Sequence, residues 1–268
     1  MTINAYLEPW VWLLGTFPLL LFLQRWISRH TQIIFLLLTR HAEMAMLLNQ
    51  LVFLPGVLLH ELSHWVLARL LGVRTMGFSV WPMRQTDGSL RLGYVHTQKV
   101  DFLREALVGA APLLAGCAAV VAIGLRVLEL DQVALALGRG DWASASRGLV
   151  QVLQSTDSFI WVYILFALSN TMMPSASDRR AWPLVGGLLL ALGAGLYYLG
   201  MGPVIQGALG EGMAAGVRVM ATAFTVTIGV DMAMLPAILG AEWLLWQLLP
   251  TGVWRDYDEG CLRDRRAR

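Results

Sequence analysis

Five stretches of the chain, 44–71, 102–128, 157–176, 181–202 and 219–249, are apolar over lengths that can cross a bilayer, since a hydrocarbon core of ~30 Å takes about 20 helical residues. Sequence of this kind has lipid as its natural solvent, and lipid admits only structures that satisfy their own backbone polar groups. The composition agrees, with 57% hydrophobic and 14% charged residues, more apolar than a soluble domain. The expected fold class is an α-helical polytopic membrane protein with about 5–6 transmembrane helices. The open element is 10–24, which is short and carries Pro18. Together with 31–38 it crosses, re-enters or lies at the interface.

Between the first two apolar stretches, 73–100 is rich in β-branched and aromatic residues around Asp87-Gly88, a dipeptide suited to a tight hairpin turn. A small β-sheet at the membrane surface is expected there. Asp101 is placed to cap the next helix, and Ser155-Thr156-Asp157-Ser158 to start a later one. Residues 129–155 mix charge with small and apolar residues and read as an interfacial loop with an amphipathic turn. Glycines crowd 186–216, which is expected to let neighbouring helices approach closely. The resulting division is an N-terminal membrane or interfacial segment 1–43, a core 44–182 with its sheet at 73–100, further transmembrane helices in 183–253, and a charged, solvated tail 254–268.

Basic residues orient the bundle. With five crossings, Arg69, Arg74, Arg84, Arg91, Lys99, Arg104, Arg179, Arg180, Arg255, Arg263, Arg265, Arg266 and Arg268 share one side, against Arg126, Arg139, Arg147 and Arg218 on the other. Arg25, Arg29 and Arg40 await a reading of the N-terminal hairpin. The sheet and tail are therefore expected to be cytoplasmic, in an integral protein of the cell (inner) membrane. A net charge of +2 with scattered Lys and Arg excludes a nucleic-acid surface. Cys117 and Cys261 form neither a disulfide framework nor a metal motif. No basic region precedes Trp10–Leu14 and no small-residue cleavage site follows, so that segment is expected to be retained.

Chemistry concentrates at His60-Glu61-Leu62-Ser63-His64. Histidines four apart share one helix face and can grip one metal ion, while Glu61, about 100° round, reaches a water on it. With this chain's five His and eight Glu, random placement would produce the pattern roughly 0.003 times. Two histidines and a glutamate in an apolar helix also cost about 2 kcal/mol or more each when unpaired in lipid, so a compensating metal is expected over the bland alternative of pairing with neighbouring helices. Counting eight residues from His64 to Gly72 at ~1.5 Å each puts the site roughly 12 Å below the surface, reached by water from the sheet side.

A catalytic zinc usually has three protein ligands, and three acidic residues are candidates for the third. Asp178 follows Asn170-Thr171-Met172-Met173-Pro174-Ser175-Ala176-Ser177, where Asn and Pro interrupt a helix at membrane depth, a break tolerated only inside protein or along a wet cavity. Asp231 lies mid-helix in 219–249, and Glu105 begins the helix at 102. Asp178 also reads as a surface cap beside Arg179 and Arg180. His96, in the second half of the sheet segment, reads as a surface residue.

Pro55-Gly56-Val57-Leu58-Leu59-His60-Glu61-Leu62-Ser63-His64, followed by Leu70-Leu71-Gly72-Val73, resembles the HExxH helix of the intramembrane site-2 protease family. In that family a surface sheet follows the helix, and a later Asn-x-x-Pro segment ends in an Asp eight residues after the Asn. Asn170 and Asp178 have that spacing. The resemblance covers roughly 44–182. It implies Zn2+ on His60, His64 and Asp178, Glu61 as general base, Asn170 holding the substrate backbone or the oxyanion, and a membrane protein as substrate cut in or near its spanning segment. The sequence departs from the family pattern at Pro174, one place late, in lacking the second proline, and in having Arg179 where the family has glycine. Neither an inserted peptide-binding domain in 73–100 nor a regulatory domain after Trp254 is expected.

Two other classes predict different residues. A membrane zinc protease with its active site outside the bilayer would use Glu105 in place of Asp178. A metal transporter or non-catalytic metal-binding protein would need ionisable residues on several helices lining one path, or would tolerate loss of Glu61. Other metals that accept imidazole and carboxylate share the zinc ligand set.

Overall fold

The computed structural model describes residues 4–79, 83–84, 90–91, 94–98, 100–201 and 210–248. The tail 254–268 and the Asp87-Gly88 turn lie outside them. The described chain is helical and polytopic, with four helices long and apolar enough to cross a membrane, or up to six if each of two bent pairs is one span.

The open N-terminal segment is one helix, α1 (Asn4–Thr39), with Pro9 and Pro18 inside it. Its length was not legible because polar residues interrupt the apolar run at its middle. Those residues bond to other helices: Gln24 Nε2 donates to Ser169 O at 2.6 Å, His30 Nδ1 pairs with Glu242 at 2.5 Å, and Thr31 Oγ1 donates to Asn49 Oδ1 at 3.0 Å. A polar side chain partnered across helices costs an intramembrane helix far less than an orphaned one.

The stretch 44–71 is two helices, α2 (Ala42–Val52) and α3 (Leu54–Leu70), bent by 75° at Phe53. Pro55 favours the break: it has no N–H to continue the α2 ladder and fits best in the first turn of a new helix. Strands β1 (Thr75–Ser79) and β4 (Tyr94–Thr97) pair antiparallel, as do the two-residue β2 (Met83–Arg84) and β3 (Leu90–Arg91). These are two separate ladders rather than one sheet.

Helix α4 (Phe102–Ala122) continues through a π turn, Ile123–Val127. Its N-cap is Asp101, which accepts from Arg104 N at 3.0 Å. The expected loop 129–155 is instead two helices, α5 (Leu130–Gly138) and α6 (Trp142–Gln154), the latter capped by Asp141. Helix α7 (Ser158–Thr171) leaves α6 at a bend of 101°. Helix α8 (Trp182–Leu196) runs into a π turn at Tyr197–Met201, and α9 (Gly210–Leu248) is 39 residues long with Pro236 inside it.

Contacts fix the relative directions. Trp12 with Thr225, Phe17 with Phe224 and His30 with Glu242 make α1 and α9 parallel. The Thr31–Asn49 bond folds α2 back along α1 across Arg40, whose φ is 58°. Tyr163 Oη donates to Val52 O, Phe53 packs tilted against Phe166 and His60 meets Thr171, so α3 runs with α7. Helix α4 runs against them, since Gly116 faces Met172, Gly109 faces Asp178 and Ala106 O accepts from Trp182 Nε1. Val226 against Gly124 and Asp231 against Asn170 align α9 with α7. Helices α2 and α3 therefore form a V that opens toward the end of the bundle where the strands emerge.

Close approach is made by glycines outside the crowded 186–216 region. A Cβ at Gly56 would run into Ala167 O and Thr171 Oγ1, at Gly109 into Asp178 O, and at Gly116 into Met172. At Gly186, Gly187, Gly193 and Gly195 it would meet nothing within 4 Å, and no α8 residue is buried. The expectation that the α8 glycines mediate packing is thus corrected. The core lies where α1, α3, α4, α7 and α9 meet, around Leu20, Ile27, Phe53, Leu165, Met172 and Phe224.

Candidate metal centre

Helix α3 presents His60 and His64 on one face, their rings edge-on with centroids 4.9 Å apart. Each ring is oriented by a backbone carbonyl from another helix. His60 Nδ1 lies 2.7 Å from Thr171 O on α7, and His64 Nδ1 lies 2.8 Å from Val108 O on α4. A carbonyl only accepts, so each neutral imidazole carries its proton on Nδ1 and its lone pair on Nε2. An imidazole held at one nitrogen by a carbonyl, with the other free to ligate, is the usual arrangement of a metal-binding histidine.

Both Nε2 atoms face Asp178. His60 Nε2 is 3.7 Å from Asp178 Oδ2 and His64 Nε2 is 3.5 Å from Asp178 Oδ1. These separations are too long for good hydrogen bonds. They resemble the ligand–ligand edge of a tetrahedral zinc site, about 3.3 Å for bonds of about 2.0–2.1 Å. The ligand atoms of His60, His64 and Asp178 all lie within 4.8 Å of one another, and among the described residues this is the one His/Cys/Asp/Glu group with such geometry. Donor chemistry fits as well, two imidazoles and a carboxylate.

The segment between α7 and α8 positions the carboxylate. Asp178 Oδ2 accepts from Ser175 N at 2.7 Å and Asp178 N donates to Ser175 Oγ at 3.3 Å, a local turn that aims the side chain. Gly109 then lets α4 sit against the Asp178 carbonyl. Arg179 turns its Nε to Ser175 O. Glu61 and His64 are buried, and His60 and Asp178 are about 15% exposed at their side chains.

Of the three acidic candidates, the structure brings only Asp178 to the histidines. Glu105 is exposed in the first turn of α4. Asp231 is wholly buried on α9, and its Oδ1 accepts from Asn170 Nδ2 at 2.8 Å. Asn170 is not part of the ligand group. Its amide hydrogens go to Phe166 O, at 2.9 Å, and to Asp231, so an oxyanion would have to displace one of them. The orienting carbonyls of Thr171 and Val108 and the Asn170–Asp231 link were not foreseen. Every residue has a carbonyl, so nothing in the sequence marks the two that matter, whereas an aspartate in the middle of an apolar helix is a visible signal.

Comparison of the chain with protein-family models, with curated proteins and with solved structures found no match.

Proposed function

We propose that this protein is an intramembrane zinc metalloprotease of the site-2 protease type, cutting membrane proteins within or beside a spanning segment. The observation that carries the reading is the pair of imidazoles pinned at Nδ1 by Thr171 O and Val108 O, with both Nε2 atoms turned to Asp178. His60, His64 and Asp178 would hold the metal. When bound, zinc supplies Lewis acidity, which makes water acidic enough to lose a proton near neutral pH and stabilises developing negative charge. Glu61 sits one residue from His60 on the same helix, takes the proton of the attacking water and passes it to the leaving amine. Burial of Glu61 and His64 keeps bulk water from competing with that transfer.

The V of α2 and α3 enters and leaves the bilayer on one side and carries the site below the surface there. The β1–β4 ladder lies at the membrane surface on that side, where an extended substrate segment adds as a further strand and is recognised through backbone bonds with little demand on its sequence. Among the described residues Arg40 joins Arg69, Arg74, Arg84, Arg91, Arg104, Arg179 and Arg180 at that end, against Arg126, Arg139, Arg147 and Arg218 at the other, an excess that supports a cytoplasmic orientation for it.

Cleavage of a membrane-spanning substrate by the purified protein in detergent or liposomes tests the proposal, with Glu61→Gln as the control. Full loss of cleavage in Glu61→Gln with zinc retained is the expected result. Unchanged cleavage in that variant would remove Glu61 from the chemistry. A second reading, a metal or proton transporter, draws on the additional intramembrane groups His30–Glu242 and Asp231. Ion flux into liposomes that survives Glu61→Gln would favour it.

A further inference from the structure

Three consecutive residues at the end of α7 each bond to a different helix. Ser169 O accepts from Gln24 Nε2 on α1, the Asn170 side chain donates to Asp231 on α9, and Thr171 O orients His60 on α3. Gln24, Ser169 and Asp231 are all buried. The last turn of α7 is therefore clamped from two sides, by helices outside the 44–182 core, at the point where it delivers the carbonyl that sets the His60 ring.

Asp231 sits where a carboxyl costs stability. It has no exposed surface, it lies within an apolar helix, and its second oxygen, Oδ2, finds no hydrogen-bond partner among the described residues. A buried carboxyl in that state weakens the fold relative to an apolar side chain of similar size, and an ionisable residue inside a membrane helix is by default a functional group.

We propose that Asp231 and Gln24 are positioning residues for the metal centre, acting through Asn170 and Ser169 to hold Thr171 O against His60 Nδ1. The inference rests on the metal-site reading and extends it to α1 and α9. It replaces the oxyanion role for Asn170 with an orienting one.

The test is zinc affinity of the full chain in detergent, measured by chelator competition, with the absorption spectrum of the cobalt-substituted protein and the thermal midpoint as independent readouts. Orienting partners of metal ligands typically contribute 10–100-fold to affinity, and one bond further out Asp231→Leu and Gln24→Ala are expected to weaken zinc binding by about tenfold and to change the cobalt spectrum. Asp231→Leu should leave the thermal midpoint of the metal-free protein unchanged or raised, and Asp231→Asn, which keeps an oxygen for Asn170 Nδ2, should restore affinity. A merely structural role predicts a lower midpoint with unaltered affinity and spectrum, and that result would overturn the inference while the metal site stood. A parent chain that binds no zinc, or binds it equally after His60→Ala, would overturn the metal-site reading and this inference with it.

Discussion

Helices α3 and α8 are both apolar and both contain glycine, yet the residue does different things in them. At Gly56 the backbone of α7 comes so close that a methyl group would collide with Ala167 O and Thr171 Oγ1, whereas Gly186, Gly187, Gly193 and Gly195 have empty space around them. The first is the contact that brings Thr171 O within reach of His60, four residues further along α3. The second group lies on a helix that has no buried residue and touches α4 near its start, where Trp182 is half-buried. Glycine count therefore says little about packing. What distinguishes the two helices is that α3 carries polar groups that need partners, and those partners come from the helices packed against it.

The largest break of this comparison is Gly56→Leu. Overpacking usually costs about 1–3 kcal/mol, and collision with backbone on α7 puts this case at the upper end. A markedly lower thermal midpoint with loss of bound zinc is expected. Gly109→Ala presses on the Asp178 carbonyl without touching either histidine. Because the collision is with backbone, a lowered thermal midpoint is expected together with zinc affinity weakened by about tenfold in chelator competition, in the range for disturbed supports of metal ligands.

A smaller effect is expected at Asp101, the exposed cap of α4. The Arg104 N–H that it accepts holds its carboxyl below the usual value of 3.8. The stability this adds is present above the unfolded pKa and is lost as pH falls through the lower folded one. Asp101→Asn should therefore flatten the dependence of the thermal midpoint on pH in the acid range. The smallest effect is Gly187→Ala on α8. Ala is favoured over Gly in a helix by about 1 kcal/mol and has nothing to strike here, so an unchanged or slightly raised midpoint with full zinc binding is predicted. A severe defect would mean that α8 has a packing partner that the isolated chain lacks.

The helical membrane character and the His60–Glu61–His64 face were legible because hydropathy and i, i+4 spacing are properties of neighbouring residues. Asp178 was legible as one of three acidic candidates, and spacing from Asn170 pointed to it only through a family resemblance. The continuity of α1 was hidden, since Gln24, His30 and Thr31 look like interruptions until their partners 18 or more residues away are known. The bend at Phe53 was hidden differently: Pro55 announced a helix start, but apolar sequence on both sides concealed that another helix ended there. The two helices in 130–154 were obscured because their apolar faces are short and mixed with charge. The orienting carbonyls stayed out of reach, being backbone atoms selected purely by packing.

The central claim, a metal held by His60, His64 and Asp178, is tested most directly by zinc stoichiometry of the purified full chain. One zinc per chain is predicted for the parent and for Glu61→Gln, with none retained after dialysis in His60→Ala or Asp178→Ala. Equal zinc in the parent and in both ligand variants would contradict the account.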